Sequence, residues 1–157
     1  MKVKYTEWPN NGISVERGPI VYSLPIQDSV VVKKYTEDCS NKPYKKPVSE
    51  FTVSEFYPKS AWNYCLSVSS IKNVEIVKNE SNDYPWNESV APVKLRIRAK
   101  KVANWELFKP DNHQKDIDFF QISAFPKDLK INPESETIEL VPYGSTTLRV
   151  TVFPKEQ

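Results

Sequence analysis

The stretch that decides the fold class is Val93-Lys94-Leu95-Arg96-Ile97-Arg98-Ala99-Lys100. Apolar and cationic residues alternate along it with a period of two, which is the side-chain period of a β-strand. Such alternation predicts a strand with one face in the core and the other toward solvent. The same period recurs in residues 20–26 and 146–153, whereas helical periodicity is scarce. The sequence therefore favours sheets over helices.

Turn signals separate these alternating segments throughout the chain. Asn11-Gly12 lies between alternating residues 3–7 and 13–17, which predicts a hairpin whose turn takes positive φ angles from Asn-Gly. Gly18-Pro19 is expected to interrupt pairing, residues 36–49 to form a long loop, and residues 62–68 to form a strand. We predict an all-β fold, a β-sandwich of jelly-roll type with about eleven short, mostly antiparallel strands. Residues 1–157 are expected to form a single domain.

Composition limits the classes of function. The chain has 157 residues, 13 of them Pro and only 3 Gly, and a net charge of +2. This near balance disfavours a basic nucleic-acid-binding arm, so we expect no nucleic-acid partner. No window approaches the roughly 18 consecutive apolar residues of a membrane-spanning helix, so no membrane partner is expected either.

The histidine and cysteine content disfavours a metal site. His113 is the single histidine and Cys39 and Cys65 are the two cysteines, too few for the common zinc ligand sets. We therefore predict no metal and no cofactor. Cys65 lies in an apolar stretch and is expected to be a buried free thiol, while Cys39 lies in a polar loop and is the more reactive candidate. A disulfide between them is an alternative that the sequence favours less.

The carboxylates and the serines give no catalytic constellation. Glycoside hydrolysis needs two carboxyl groups facing one scissile bond, but Glu16, Glu75 and Glu139 are all expected to point outward from strands. The aspartates around His113 lie in a polar loop that lacks the glycine and glutamate of an EF-hand. A Gly-x-Ser-x-Gly elbow is also missing. We predict that this chain contains no catalytic residue.

A cationic stripe is the main electrostatic feature of the sequence, and it comprises Lys94, Arg96, Arg98, Lys100 and Lys101. Such a stripe can meet an acidic glycan, a phosphate backbone or an acidic partner domain. It can also be a solvated outer face that guards a sheet edge against unwanted pairing. We favour the solvated or edge-guarding interpretation, because the net charge is so small.

Exposed aromatic residues are the remaining candidates for a binding site. Tyr84-Pro85-Trp86 is bracketed by polar residues, so Trp86 and Tyr84 are predicted to offer stacking surfaces to a sugar ring. For Trp86 the residues themselves favour another interpretation, in which the side chain folds back over the sheet as a lid on the core. Trp62 and Trp105 lie in apolar strand patterns and are expected in the core.

Four blocks together resemble one family. They are Glu16-Arg17-Gly18-Pro19-Ile20-Val21-Tyr22, Trp62-Asn63-Tyr64-Cys65-Leu66, Ala91-Pro92-Val93-Lys94-Leu95 leading to Trp105, and Leu140-Val141-Pro142-Tyr143-Gly144 continuing to Pro154. In this order they resemble the region after the catalytic barrel of the β-L-arabinofuranosidase-like glycoside hydrolases, family 127 and its relatives. The resemblance spans nearly the whole chain.

The resemblance implies a C-terminal, non-catalytic β-sandwich domain of a bacterial glycoside hydrolase whose chemistry belongs to an (α/α) barrel. The expected partners are that barrel and a plant-type glycan, and the expected role is to support the barrel or to assist glycan binding. A periplasmic or extracellular parent protein is favoured. The alternatives are an independent carbohydrate-binding module that uses its loop aromatics and an adhesion or assembly domain that contacts no sugar.

The beginning of the chain adds one further expectation. The strand pattern starts at Lys2 with no preceding cap or loop, so the first hairpin is expected to lack a neighbour on one side. An open strand edge exposes unpaired N–H and C=O groups, which favours self-association. We therefore expect the fragment to form a homodimer near residues 1–26.

Overall fold

The structure is a computed structural model, and it describes residues 1–37, 49–80, 86–108 and 121–156. Two compact units are present: Met1–Ile26 with Ala61–Gln157, and Gln27–Ser60. The first contains a nine-stranded sheet and a two-stranded sheet, and the second is a two-stranded hairpin. All pairs of named strands are antiparallel, which confirms the predicted all-β, sandwich-like fold.

Within the ranges that the structure describes, thirteen strands occur, together with one short helix, α1 (Val68–Lys72), and one 3₁₀ helix, Tyr143–Ser145. The strands are β1 (Val3–Trp8), β2 (Gly12–Arg17), β3 (Ile20–Pro25), β4 (Asp28–Glu37), β5 (Ser49–Pro58), β6 (Tyr64–Cys65), β7 (Glu75–Lys78), β8 (Val93–Val102), β9 (Leu107–Phe108), β10 (Gln121–Ile122), β11 (Ile131–Pro142), β12 (Arg149–Val150) and β13 (Val152–Pro154).

The large sheet follows the order β1-β2-β3-β11-β8-β6. Three further strands join it at the side: β12 pairs with β3, β13 with β2, and β7 with β8. After β12 the chain leaves β3 and crosses to β2, where it forms β13. Thr151, the residue between these two strands, shares a 2.9 Å hydrogen bond with the buried hydroxyl of Ser23. Strand β1 ends this order, and β2 is its only pairing partner among the described residues. Within those residues the expected open edge is present, while a homodimer remains a prediction.

Two turns differ from the sequence expectations. The β1–β2 hairpin is confirmed, but the positive φ angles belong to Asn10 and Asn11, both at 59°, and Gly12 already begins β2. Gly12 is needed for space, because a Cβ there would lie 2.8 Å from Val152 Cγ1. Gly18-Pro19 does not interrupt pairing. It forms the two-residue turn between β2 and β3, with Gly18 at φ 65° in the position where such turns require glycine.

The core of the first unit lies between the inward faces of its strands. Ile13 and Val15 of β2, Leu95 and Ile97 of β8, and Leu140 of β11 are all almost completely buried. The alternation of β8 is as predicted, since its apolar residues face the core and Arg96 and Arg98 face solvent. Burial of large aliphatic side chains contributes roughly 1.5–3 kcal/mol each, which makes this face the main stabilising element.

Residues 62–68 do not form one strand as predicted. Only Tyr64–Cys65 forms a strand, Leu66 makes an isolated bridge with Lys155, and the chain then turns into α1. The Ser67 hydroxyl accepts a 3.0 Å hydrogen bond from the backbone N–H of Ser70, so Ser67 is the N-cap of this helix. Strand β11 is one continuous strand of 12 residues, Ile131–Pro142.

The second unit consists of β4 and β5, paired in register from Asp28↔Pro58 to Glu37↔Ser49. Val30, Val31 and Val32 of β4 are all exposed. Strand β5 was not predicted. The predicted loop at residues 36–49 overlaps the strand ends at both sides, and its remaining residues, 38–48, lie outside the described ranges.

Candidate functional site

Trp86 lies at the surface of the first unit and is 57% exposed. Trp86 lies in the turn that leads into β8. In this turn the Asn87 side chain accepts hydrogen bonds from the backbone N–H and the hydroxyl of Ser89, at 3.0 and 2.9 Å. Asn79 anchors the end of this turn, because its Nδ2 donates to the carbonyl of Ala91 at 2.8 Å. The turn therefore has a defined conformation, and Trp86 does not act as a lid on the core.

The indole of Trp86 rests against Gly144. A Cβ at Gly144 would lie 3.1 Å from both Cε3 and Cζ3 of the indole, which is closer than side chains normally pack. Glycine at this position therefore lets the six-membered ring of Trp86 approach the backbone. The 3₁₀ helix Tyr143–Ser145 that contains Gly144 follows directly after β11, so a sheet strand fixes its position.

Tyr143 is the second exposed aromatic residue here, at 49% exposure. The Arg149 guanidinium lies over its ring, with Cζ 3.8 Å from the ring centroid, a cation–π contact. Nη1 of Arg149 also donates to the carbonyl of Thr146 and, at 3.4 Å, to that of Thr147. We call Trp86, Tyr143, Gly144 and Arg149 the Trp86 surface.

The Trp86 surface joins Trp86, a predicted residue, with Tyr143, Gly144 and Arg149, which were not predicted as site residues. Tyr143 and Gly144 lie in the fourth block of the family resemblance, and Arg149 lies in the alternating residues 146–153. The available signal was the same one that identified Trp86, an aromatic residue among turn-forming neighbours. Tyr84, the other predicted stacking residue, lies outside the described ranges.

The arrangement is suited to stacking and hydrogen bonding. Exposed indole and phenol rings present apolar faces, and their N–H and O–H groups are polar tips. Neither the Trp86 indole N–H nor the Tyr143 hydroxyl makes a hydrogen bond to a residue that the structure describes. A flat ligand with an apolar face and a hydroxyl rim, such as a sugar ring, matches these features.

A groove of about 840 Å³ is the other concavity of interest in the first unit. It is lined by residues that include Asn10, Asn11, Phe125 and Asp128. Its aromatic side chain is engaged elsewhere, because the Phe125 ring packs edge-to-face on Trp105 with centroids 5.1 Å apart. The Asn11 side chain donates to the carbonyl of Lys155 at 2.9 Å. The groove thus lacks the free aromatic face of the Trp86 surface.

The predicted cationic stripe is largely neutralised. Lys94, Arg96, Lys100 and Lys101 each form an ion pair, with carboxylates of Glu139, Glu75, Glu156 and Glu136. The hydrogen bond from Arg96 to Glu139, 2.8 Å long, is the main reason that the pKa of Glu139 is lowered. The stripe faces solvent as favoured, but it guards no edge, because β8 pairs on both sides with other strands.

Cys65 is a buried free thiol, as predicted, and it donates to the carbonyl of Lys100 at 3.4 Å. Burial raises the pKa of this thiol to about 11, so it is protonated and unreactive near neutral pH. Because Cys65 is free, the alternative of a disulfide with Cys39 is wrong. Cys39 and His113 lie outside the described ranges, and the predicted reactivity of Cys39 stays a prediction.

The part of the chain that the structure describes contains neither a metal-binding cluster nor a membrane-spanning helix. No group of three or more histidine, cysteine, aspartate or glutamate side chains in the described ranges could hold a metal ion. Among the same residues, no helix has the length and apolar character required to cross a membrane.

Comparison of the chain with protein-family models, with curated proteins and with solved structures gives no match. The family resemblance therefore rests on the four sequence blocks alone. Among the described residues, the Trp86 surface is the feature best suited to bind a ligand.

Proposed function

We propose that this chain is a non-catalytic β-sandwich domain of a glycoside hydrolase and that it assists glycan binding at the Trp86 surface. The supporting observation is that two exposed aromatic residues, Trp86 and Tyr143, lie on two turns in contact, because the Trp86 indole rests on Gly144, the residue after Tyr143. The glycoside hydrolase context comes from the sequence resemblance. The partners of the domain are then the catalytic barrel of the same polypeptide and a plant-type glycan.

The chemistry of the surface supports a sugar more than a protein ligand. Sugar rings have an apolar C–H face that stacks on indole, and a rim of hydroxyls that needs donors and acceptors. The patch is small and mixed in character, unlike the contiguous apolar patches typical of protein interfaces. Trp86 supplies the stacking face, and Tyr143 and Arg149 supply polar atoms beside it.

Glycan-array binding followed by calorimetry tests this function. Trp86→Ala and Tyr143→Ala are each expected to weaken binding about tenfold, since the first removes the stacking face and the second removes a polar hydroxyl and the ring on which Arg149 stacks. Trp8→Ala is the matched control, because Trp8 is also an exposed tryptophan of the same unit but lies in the β1–β2 hairpin. Binding that is unaffected at Trp86, or equally affected at Trp8, contradicts the proposal.

The proposal also requires that the isolated chain hydrolyses no glycoside. Among the described residues, Glu139 and Glu75 both contact Arg96 as members of an ion-pair cluster. The expected result is no release of aryl leaving group from arabinofuranosides or other glycosides. Turnover by the pure chain that a single substitution abolishes would show that the chain is an enzyme.

A second candidate function, support of the catalytic barrel, is favoured by the β4–β5 hairpin. Val30, Val32 and Phe56 lie on one face of this hairpin and are all exposed. A two-stranded hairpin is marginal in water without a covering layer. Val32→Lys is then expected to lower the melting temperature of the longer parent protein but not of this chain alone. Equal effects on both proteins would contradict barrel support.

A further inference from the structure

Arg149 is held in a fixed orientation at the Trp86 surface. Its guanidinium stacks on Tyr143, and its Nη1 is bound to the carbonyl groups of Thr146 and Thr147. A guanidinium that is restrained from two sides loses little conformational entropy when it binds a ligand. The remaining donors, Nε–H and the Nη2 hydrogens, lie along the edge of the guanidinium plane opposite these restraints.

Among the residues that the structure describes, none compensates the charge of Arg149. No carboxylate of the described residues lies within 4.0 Å of its guanidinium, and neither Nε nor Nη2 donates to any of those residues. Elsewhere on the same unit Lys94, Arg96 and Lys155 each pair with a carboxylate. The Trp86 surface therefore combines stacking faces with one oriented cation that has no carboxylate partner within the described ranges.

Building on the proposed function, we propose that this surface recognises a glycan through the carboxylate of a uronic acid residue. The sugar ring stacks on Trp86, and its carboxylate accepts the Nε–H and Nη2–H of Arg149. The parallel donors of this edge match the two oxygens of a planar carboxylate, which makes such pairs directional as well as charge-assisted. A neutral sugar hydroxyl would use one of these donors and leave the charge unpaired.

The test compares ligands that differ only at the carboxylate. Oligogalacturonate and glucuronate-containing oligosaccharides are each titrated into the chain by calorimetry, beside their methyl esters. The acids are expected to bind about tenfold more tightly than the esters at low salt, with the difference decreasing as salt is raised. Arg149→Gln is expected to abolish the difference between acid and ester.

Two further variants control for charge and for folding. Arg98→Gln removes an exposed arginine of β8 that also lacks a carboxylate partner among the described residues, and it is expected to keep the preference for acid. Arg149→Lys retains the charge but not the planar donor edge, and it is expected to keep only a small part of the preference. Thermal melts verify that each variant is folded.

The outcomes separate this inference from the proposed function. If acid and ester bind equally, and Trp86→Ala weakens both, the carboxylate assignment is wrong while the sugar-binding function stands. If a sulfated oligosaccharide binds more tightly than the uronates, the site recognises anionic groups in general and the assignment is also wrong. If neither these probes nor a neutral glycan array binds, the proposed function fails and this inference fails with it.

Discussion

Two tryptophans of one unit, Trp105 and Trp86, occupy opposite environments. Trp105 is 2% exposed, and its indole N–H donates to the carbonyl of Ser123 at 3.0 Å. Two aromatic rings, those of Trp62 and Phe125, meet it edge-on at centroid distances of 4.9 and 5.1 Å. Trp86 has no such ring partner among the described residues, is mostly exposed, and its N–H is free of hydrogen bonds to them.

The difference indicates which tryptophan serves stability and which is available to a ligand. A buried indole stabilises a fold through its area, its ring contacts and its satisfied N–H. An exposed indole contributes little to stability. Because the Trp86 indole packs on Gly144, its ring is already positioned for a ligand to stack on it. Substitutions in the Trp105 region and at the Trp86 surface can therefore test this division of roles.

The largest effect is expected at Trp105. Trp105→Ala should lower the free energy of unfolding by about 3–5 kcal/mol, a large part of the roughly 5–15 kcal/mol of a typical domain. Trp86→Ala should lower it by less than about 1 kcal/mol. Denaturant unfolding of both variants measures the two changes, and Trp105→Phe provides a folded substitute if the alanine variant does not fold. Equal losses for the two alanine variants would contradict the division.

Trp62 should give an intermediate effect. The sequence predicted a core residue, whereas Trp62 is only half-buried and packs on Trp105 from the side. Trp62→Ala is expected to lower the free energy of unfolding by about 2 kcal/mol, because part of its area is already in water. A double-mutant cycle with Trp105→Phe should show a coupling energy of about 0.5–1.5 kcal/mol. Additive effects would mean that the ring contact itself does not stabilise the domain.

How far the sequence predicts the fold depends on how regular each pattern is. Strand β8 was predicted correctly because a single alternation spans most of its length, from Val93 to Lys100. Helix α1 was missed because five residues are too few for a helical period, and its only signal is the Ser67 cap. Strand β5 was missed because Glu55 and Phe56 break the alternation of apolar and polar residues. The fold tolerates this break, because side chains on both faces of the strand are exposed.

The candidate site was predictable only in part. Trp86 could be found because its polar neighbours mark an exposed turn. The contact of Trp86 with Gly144 could not be predicted, because the two residues are distant in sequence and only the position of β11 relative to β8 brings them together. Similarly, a cationic stripe is visible in the sequence, but its neutralisation depends on cross-strand register, such as Arg96 opposite Glu139.

A pH-dependent effect is expected from the interior of the same unit. Burial raises the pKa of the Cys65 thiol to about 11 from its ordinary 9.0, so the folded state favours the protonated form. The corresponding stability is fully present below pH about 9 and is lost as the pH rises toward 11, with an upper limit of about 2–3 kcal/mol. Denaturant unfolding at pH 8 and pH 10.5 measures the loss.

The buried tyrosines require a control in that experiment. Burial also raises the pKa values of Tyr22 and Tyr64, so they add a loss of the same sign at high pH. Cys65→Ala should therefore lose less stability between the two pH values than the unsubstituted chain does. In a Cys39→Ser background, the Cys65 thiol should also resist disulfide reagents until the chain unfolds. Rapid modification of the folded protein would contradict its burial.

The smallest effect on stability is expected at Gly144, where the effect on binding should be clear. Gly144 does not have a positive φ, so Gly144→Ala adds no backbone strain, and the free energy of unfolding should change by less than about 0.5 kcal/mol. The new Cβ nevertheless lies 3.1 Å from two carbons of the Trp86 ring, so the indole must shift. Glycan affinity should fall about fivefold, because the stacking face moves away from Tyr143 and Arg149.

Thr147→Ala, an exposed substitution in the same turn, is the control and should leave both the free energy of unfolding and the glycan affinity unchanged. The contrary result is that Gly144→Ala binds glycan like the unsubstituted chain while Trp86→Ala does not. The indole would then reach its binding position without support from Gly144, so Trp86 would adapt to its ligand instead of being positioned before the ligand binds.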